Sequence, residues 1–359
     1  MNHHKYNTKT TLIVPAAGKS SRYPGMRPKW LLTHPNGKLM IDEVVSSFNP
    51  QEFDRVIITI LKDHCDQYDA DQVLKQVFGD AIEILILPEP TKSAAETVYR
   101  TLEDMSVTGQ VVIKDSDCLV ESRLCFGNNY IVGLKVSSDS SVERIQQKSF
   151  IIKNDDDIVV DIIEKEIVSN IVCVGVYSMN ANDYRRAYNS ILENNVYKKL
   201  NELYVSHIVS YLVVCQGTVF EYVEADKFKD WGTKEDWYKE LEKHNTYIFD
   251  IDGVMLRNCG KFGKKNWSNY FEPIQENINV VKRLSDEGHE IIFMTARTSE
   301  YLNRFRDLME EVGIRYKQIV SGCNHGRRII INDFAATNPY PSCEALSIKR
   351  NDELDTYLK

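Results

Sequence analysis

Short aliphatic and β-branched runs alternate with amphipathic stretches along the first third of the chain. The runs TLIVPA (11–16), RVIITIL (55–61) and IEILIL (82–87) are separated by segments with helical spacing over Met40–Phe48 and Gln72–Phe78. Strand, helix and strand in this rhythm predict βαβ units, hence a mostly parallel sheet covered by helices. The runs VVIKD (111–115), SFIIK (149–153), IVVDIIEK (158–165) and IVCVGVY (171–177) follow, the middle ones close enough together to predict mixed or antiparallel strands beside the parallel half. After a charged, helix-like segment at Tyr238–Asn245, a second α/β series opens with TYIFDIDGV (246–254). It continues through a helix around Ile278–Glu287, the strand IIFMTAR (291–297), a strand RIIIND (328–333) and the tail SIKRNDELDTYL (347–358). The expected organisation is a tail at 1–10, an α/β domain at 11–243 and a smaller α/β domain at 244–359, with no internal repeat.

The chain has 359 residues, long enough for two cores of ordinary size. Its net charge of −8 comes without any basic block, which argues against a nucleic-acid partner. No unbroken apolar run reaches the roughly 18 residues of a membrane span, so no membrane partner is expected. The opening MNHHKYNTKT lacks an apolar core and does not read as a secretory signal. The 8 cysteines are scattered singly, as in a reducing compartment. These features together predict a cytoplasmic protein. The histidines show no metal-ligand spacing.

The first strand runs directly into Pro15-Ala16-Ala17-Gly18-Lys19-Ser20-Ser21-Arg22. Small residues there let backbone N–H groups approach a triphosphate, while Lys19 and Arg22 add positive charge. The Walker A spacing is absent. Arg27-Pro28-Lys29 supplies a further cation within a few residues. This combination resembles the sugar-nucleotide pyrophosphorylase and cytidylyltransferase superfamily over roughly residues 11 to 237. The resemblance implies a Rossmann-like, GT-A-like nucleotidyltransferase domain with a mixed sheet, in which Ala16, Ala17, Gly18, Lys19 and Ser20 line the nucleotide, with Arg22 and Lys29 catalytic. It also implies that Ser93, Ala94 and Ala95 pack against the nucleobase and that Glu164, Lys165 and Gly175 bind the acceptor. Within Lys114-Asp115-Ser116-Asp117, Asp117 is favoured as a Mg²⁺ ligand, with Asp115 as the alternative. Asp230-Trp231-Gly232-Thr233 resembles the family's late D-x-G-T element, which implies Asp230 as the second ligand, in keeping with the oxygen preference of Mg²⁺. Glu166 replaces the proline usual after the Glu-Lys pair. The expected partners are a nucleoside triphosphate, with CTP favoured because the short acceptor section resembles cytidylyltransferases, and a sugar or polyol phosphate. A homo-oligomer is left open.

In the second domain, strand 247–249 delivers Asp250-Ile251-Asp252-Gly253-Val254, and Phe293-Met294-Thr295-Ala296-Arg297 and Ile330-Ile331-Asn332-Asp333 follow in order. These motifs resemble the haloacid dehalogenase (HAD) phosphatases. The resemblance implies a Rossmannoid domain with a minimal cap, Asp250 as nucleophile, Asp252 as general acid and base, Thr295 as phosphoryl holder, and Mg²⁺ on Asp250, Asp252 (through its backbone carbonyl) and Asp333. The lysine common in that family is missing before the last run, and Arg328 is the candidate replacement, with Lys317 and Arg327 as alternatives. Read together, the two resemblances imply a bifunctional enzyme, similar to pairs that supply surface-polysaccharide precursors. Two rivals remain, a nucleotide-sensing front domain and a degenerate phosphatase domain.

Overall fold

The computed structural model describes residues 9–136, 144–194, 202–333 and 342–358. The chain forms two compact units, Met1–Asp236 and Trp237–Lys359. The division falls inside a helix, a few residues before the boundary expected near His244.

In the first unit the strands are β1 (Thr10–Pro15), β2 (Arg55–Leu61), β3 (Glu83–Leu87), β4 (Gln110–Lys114), β5 (Cys118–Ser122), β6 (Tyr130–Lys135), β7 (Ser149–Lys153), β8 (Val159–Glu164), β9 (Ile171–Asn180) and β10 (Glu221–Asp230). They form one 10-stranded sheet in the order β3-β2-β1-β4-β9-β6-β10-β5, with β7 joining β8 to β9. The β3-β2-β1-β4 portion is parallel, whereas β9 is antiparallel to both β4 and β6, giving the mixed sheet expected from the sequence. Alternation along β1 sends Ile13 into the core on one face and Leu12 and Val14 into the core on the other. Helices α1 (Met40–Ser46), α2 (Lys62–Tyr68), α3 (Ala70–Phe78), α4 (Ala94–Asp104), α5 (Ala181–Glu193) and α6 (Val205–Ser210) complete the unit, with α7 (Lys234–Glu242) spanning the division. Each buried Val, Leu or Ile contributes on the order of 1.5–3 kcal/mol, so burial on both faces makes the sheet a rigid platform for residues at strand ends.

The second unit has a 3-stranded parallel sheet, β11 (Thr246–Asp250), β12 (Glu290–Met294) and β13 (Gln318–Val320), in that order. Helices α8 (Gln275–Asp286) and α9 (Asn303–Val312) connect the strands and contribute Ile278, Val281, Phe305 and Met309 to its core. The strand expected at 328–333 does not form, because those residues are irregular and exposed, with Ile329 69%, Ile330 50% and Ile331 91% accessible. A β-branched run expresses only a local preference, and without a paired strand its backbone groups turn to water. Among the described residues no helix is long and apolar enough to cross a membrane.

Candidate functional site

The loop after β1 is set by backbone geometry. Ala16 N–H donates to the Thr59 carbonyl (2.8 Å), and Ser20 turns the chain in the left-handed region at φ 48°. Its hydroxyl accepts the Lys29 N–H (3.2 Å), so the two basic stretches are tied together. Ala16 and Ala17 are buried, whereas Gly18, Lys19 and Arg22 are exposed. Tyr23, 2% accessible, donates its hydroxyl toward the carbonyls of Trp231 and of Thr233 (2.8 Å), clamping the loop onto the segment that follows β10. Burial and the nearby Asp117, Asp236 and Asp230 carboxylates raise the Tyr23 phenol, keeping it a donor.

Strand register brings Asp117 and Asp230 together. Asp230 pairs with Cys118 in the β5–β10 ladder, and Trp231 N–H donates to the Asp117 carbonyl (2.9 Å). Gly232 leaves the space between them open. An ideal Cβ there would lie 3.1 Å from Asp230 Oδ1, 3.4 Å from Asp117 Oδ2 and 3.6 Å from Arg22 Nη1. Those distances put the two carboxylate oxygens and one guanidinium nitrogen around a single small cradle. Lys29 Nζ is bonded to Asp117 Oδ2 and Lys148 Nζ to Asp230 Oδ2. Burial alone would raise the Asp117 carboxyl, but Lys29, Arg22 and Lys148 outweigh it and hold the group below the usual range. The Lys148 ammonium shows the complementary balance, since burial lowers it while Asp230 and Asp117 more than compensate. Two oxygen donors facing one cradle, one of them firmly ionised, fit a hard cation such as Mg²⁺.

Asp115 occupies a different niche. Its N–H donates to the Gly175 carbonyl (2.9 Å), and its carboxyl is packed against Gly175 itself. Burial, then the Asp117 charge, raises it above the ordinary carboxylate range, and Lys114, Lys29 and Lys148 only partly offset this. A raised native value means the folded protein binds the proton more tightly than the unfolded chain. Stability therefore declines as pH rises from the ordinary Asp value of about 3.9 through the raised native value, and is level beyond it. Asp115→Asn should remove that decline. In chelator-treated protein, the variant's gain in urea midpoint over wild type should be larger at pH 8 than at pH 4, and an equal gain at both would contradict the assignment.

Ser93 caps α4, its hydroxyl accepting the Glu96 N–H (3.1 Å), while Ala94 is half-buried and Ala95 fully buried. Glu164, at the end of β8, accepts hydrogen bonds from Ser149 and from Ser206 (2.7 Å). Lys165 follows in the left-handed region at φ 58° and sets its ammonium 4.2 Å over the Tyr204 ring. Gly175 lies within β9 at φ 75°. The sequence reading missed Lys148, Tyr204 and Tyr23, none of which stands out by composition. A lone lysine directly before the strand SFIIK was the only available signal for Lys148.

In the second unit Asp250 ends β11 and Thr295 follows β12. Asp250 stands at an exposed rim, yet the surrounding chain shields its carboxyl from bulk water. That burial and Asp252 raise it, while the Ile251 N–H, Arg328 and Arg350 pull it down. Thr295 is fully buried and its hydroxyl accepts the Arg297 N–H (3.1 Å). Arg297, 1% accessible, forks onto both oxygens of Asp252 at 2.8 and 2.7 Å, an arrangement not foreseen from the sequence. Arg328 bonds the carbonyls of Asn324 (2.8 Å) and Gly326 (2.9 Å) in its own loop. Asp333 is exposed, in the irregular run that follows Arg328. Among the described residues the side-chain oxygens of Asp250, Asp252 and Asp333 do not all lie within 4.8 Å of one another.

Residues 12–119 match the family model described as the MobA-like NTP transferase domain. The nucleoside-diphosphate-sugar pyrophosphorylase from Vibrio cholerae RC9 superimposes with a TM-score of 0.54 at 19% identity, covering 64% of this chain and 99% of that one. The inositol-1-phosphate CTP transferase from T. maritima gives a TM-score of 0.49 at 16% identity, covering 66% and 96%. No curated protein matches the sequence. The first unit thus carries an NTP-transferase-like segment from β1 to β5 within a fold shared with a sugar-nucleotide pyrophosphorylase.

Proposed function

We propose that the first unit transfers a nucleotidyl group, with CTP preferred, from a nucleoside triphosphate to a sugar or polyol phosphate. The observation that carries this reading is the convergence of Asp117, Asp230 and Arg22 around Gly232 with Lys29 on Asp117. An acceptor phosphate oxygen forms a bond to the α-phosphorus as the bond to the bridging oxygen breaks and pyrophosphate departs. Arg22, Lys19 and Lys29 neutralise the phosphates, Lys165 anchors the acceptor, and Glu164, oriented by Ser149 and Ser206, receives its hydroxyls. Asp117 and Asp230 would hold Mg²⁺, which when bound supplies charge neutralisation across phosphate oxygens.

The second unit is proposed as a phosphomonoesterase of the HAD type acting in the same pathway of surface-polysaccharide precursors. Asp250 attacks phosphorus as the ester bond to the leaving oxygen breaks and Asp252 protonates that oxygen; water, activated by Asp252, then cleaves the aspartyl-phosphate to free phosphate, with Thr295 and Arg328 holding the phosphoryl group. A second reading, in which this unit serves self-association, is favoured by Arg297 occupying both Asp252 oxygens and by exposed Ile329, Ile330 and Ile331. One experiment tests both units. The protein is incubated with Mg²⁺, four nucleoside triphosphates and a panel of sugar and polyol phosphates, and the products are weighed by mass spectrometry. A nucleoside diphosphate derivative with pyrophosphate is the expected transferase product, and its absence from every combination would refute that reading. Phosphate release lost in Asp250→Asn supports the phosphatase, whereas equal release by variant and wild type favours self-association.

A further inference from the structure

Lys148 is absent from the functional roles assigned above, yet it sits at their centre. It closes the short turn Ile145–Gln147 that leads into β7, and its ammonium is bonded to Asp230 with only 20% of its side chain accessible. The turn is anchored at both ends. Arg144 is paired with Asp236, which also accepts from the Thr233 N–H (3.2 Å) and hydroxyl (2.9 Å), fixing the turn to the segment after β10. On the other side the Lys148 carbonyl accepts the Lys165 N–H (3.0 Å), tying the same residue to the acceptor strand. Asp117 and Asp230 each carry one ammonium, Lys29 and Lys148 respectively, on the very carboxylates that face the cradle.

We propose that Lys148 competes with the divalent cation for Asp230, neutralising that carboxylate in the empty site and turning to the triphosphate once the cation takes it. The competition concerns this chain's own ion pair. The second half of the proposal, the turn toward phosphate, rests on the transferase reading. Lys148 holds Asp230 Oδ2, whereas Oδ1 faces the cradle and accepts the Gly232 N–H (3.1 Å); the ammonium therefore neutralises the carboxylate and must move before a cation can draw on its full charge or on both oxygens. Cation alone then binds weakly, while cation and triphosphate together bind well, because the anion gives the displaced ammonium a new partner. This makes their binding mutually supportive.

The probe is Mn²⁺ alone, followed by the electron paramagnetic resonance signal of the free ion, in an Asp250→Asn background that keeps the second unit out of the measurement. Lys148→Met should bind Mn²⁺ about tenfold more tightly than the parent. Asp230→Asn should abolish the difference, and Lys148→Arg should stay near the parent. With a non-hydrolysable CTP analogue present, Lys148→Met should bind the analogue about tenfold more weakly. Lys148→Gln carries the same test if the methionine variant fails to fold. Equal or weaker Mn²⁺ binding by folded Lys148→Met or Lys148→Gln would overturn the proposal. Tighter Mn²⁺ binding with no pyrophosphate released by wild-type protein from any triphosphate would instead overturn the transferase reading and the phosphate half, leaving the competition at Asp230 intact.

Discussion

Asp117→Asn is expected to slow the proposed pyrophosphate release by roughly 1000-fold, about 4 kcal/mol of barrier, with the protein still folded. The change is nearly isosteric, and an amide oxygen can still accept from Lys29, so the loss isolates the negative charge. That charge is held on the side chain by Lys29, Arg22 and Lys148 against the effect of burial. Its oxygen faces the cradle at Gly232 together with Asp230 Oδ1. Asp230→Asn should therefore fall in the same range. Asp115→Asn should cost far less, since that carboxyl is packed into Gly175 and raised toward its neutral form. Steady-state pyrophosphate release at saturating triphosphate, compared across the three variants, checks the assignment. A loss under tenfold for Asp117→Asn removes it from the site, and a larger loss for Asp115→Asn moves the ligand two positions along the chain.

What the sequence made legible were the residues whose local pattern and final position are set by the same short stretch. Arg22 and Lys29 follow one strand and are joined by Ser20, so their neighbourhood is written within about ten residues of chain. The βαβ rhythm likewise follows from apolar runs that are buried along their length, as in β1. Long-range pairing was invisible. Lys148 meets Asp230 across 82 positions, and Tyr23 meets the Thr233 carbonyl across 210. Strand β10 reads EYVEADKFKD, too charged to announce itself, because it is only partly buried in its pairing with β6 and β5. Ala16 and Ala17 after β1 and Ala95 in the first turn of α4 have their side chains buried in packing, Ala17 against Leu61 and Leu87, a tertiary role that small size alone does not announce. The run at 328–333 shows how a strong β pattern fails to settle as a strand when no neighbour is paired with it.

Gly175→Ala is expected to lower folding stability by roughly 3 kcal/mol, the sum of a backbone cost and a packing cost. The residue sits at φ 75°, where a Cβ crowds the backbone. The packing cost comes from Asp115, since an ideal Cβ at position 175 would overlap its Oδ2 and stand 2.8 Å from its Cγ and 3.0 Å from its Cβ. Rotation of the carboxyl would relieve the Oδ2 and Cγ contacts but not the one with the Asp115 Cβ, because the Asp115 N–H is bonded to the Gly175 carbonyl and the strand pairing of Lys114 with Val176 fixes both backbones. The variant must therefore shift the Asp115–Asp117 turn, moving the carboxylate that faces the cradle. Urea denaturation should show the loss, and Asp115→Gly added to Gly175→Ala should restore the packing share of about 1–3 kcal/mol while leaving the backbone share of about 1–2 kcal/mol in place. If the two substitutions simply add, Gly175 is required for its backbone conformation alone and the close approach of Asp115 is not what holds that glycine in β9.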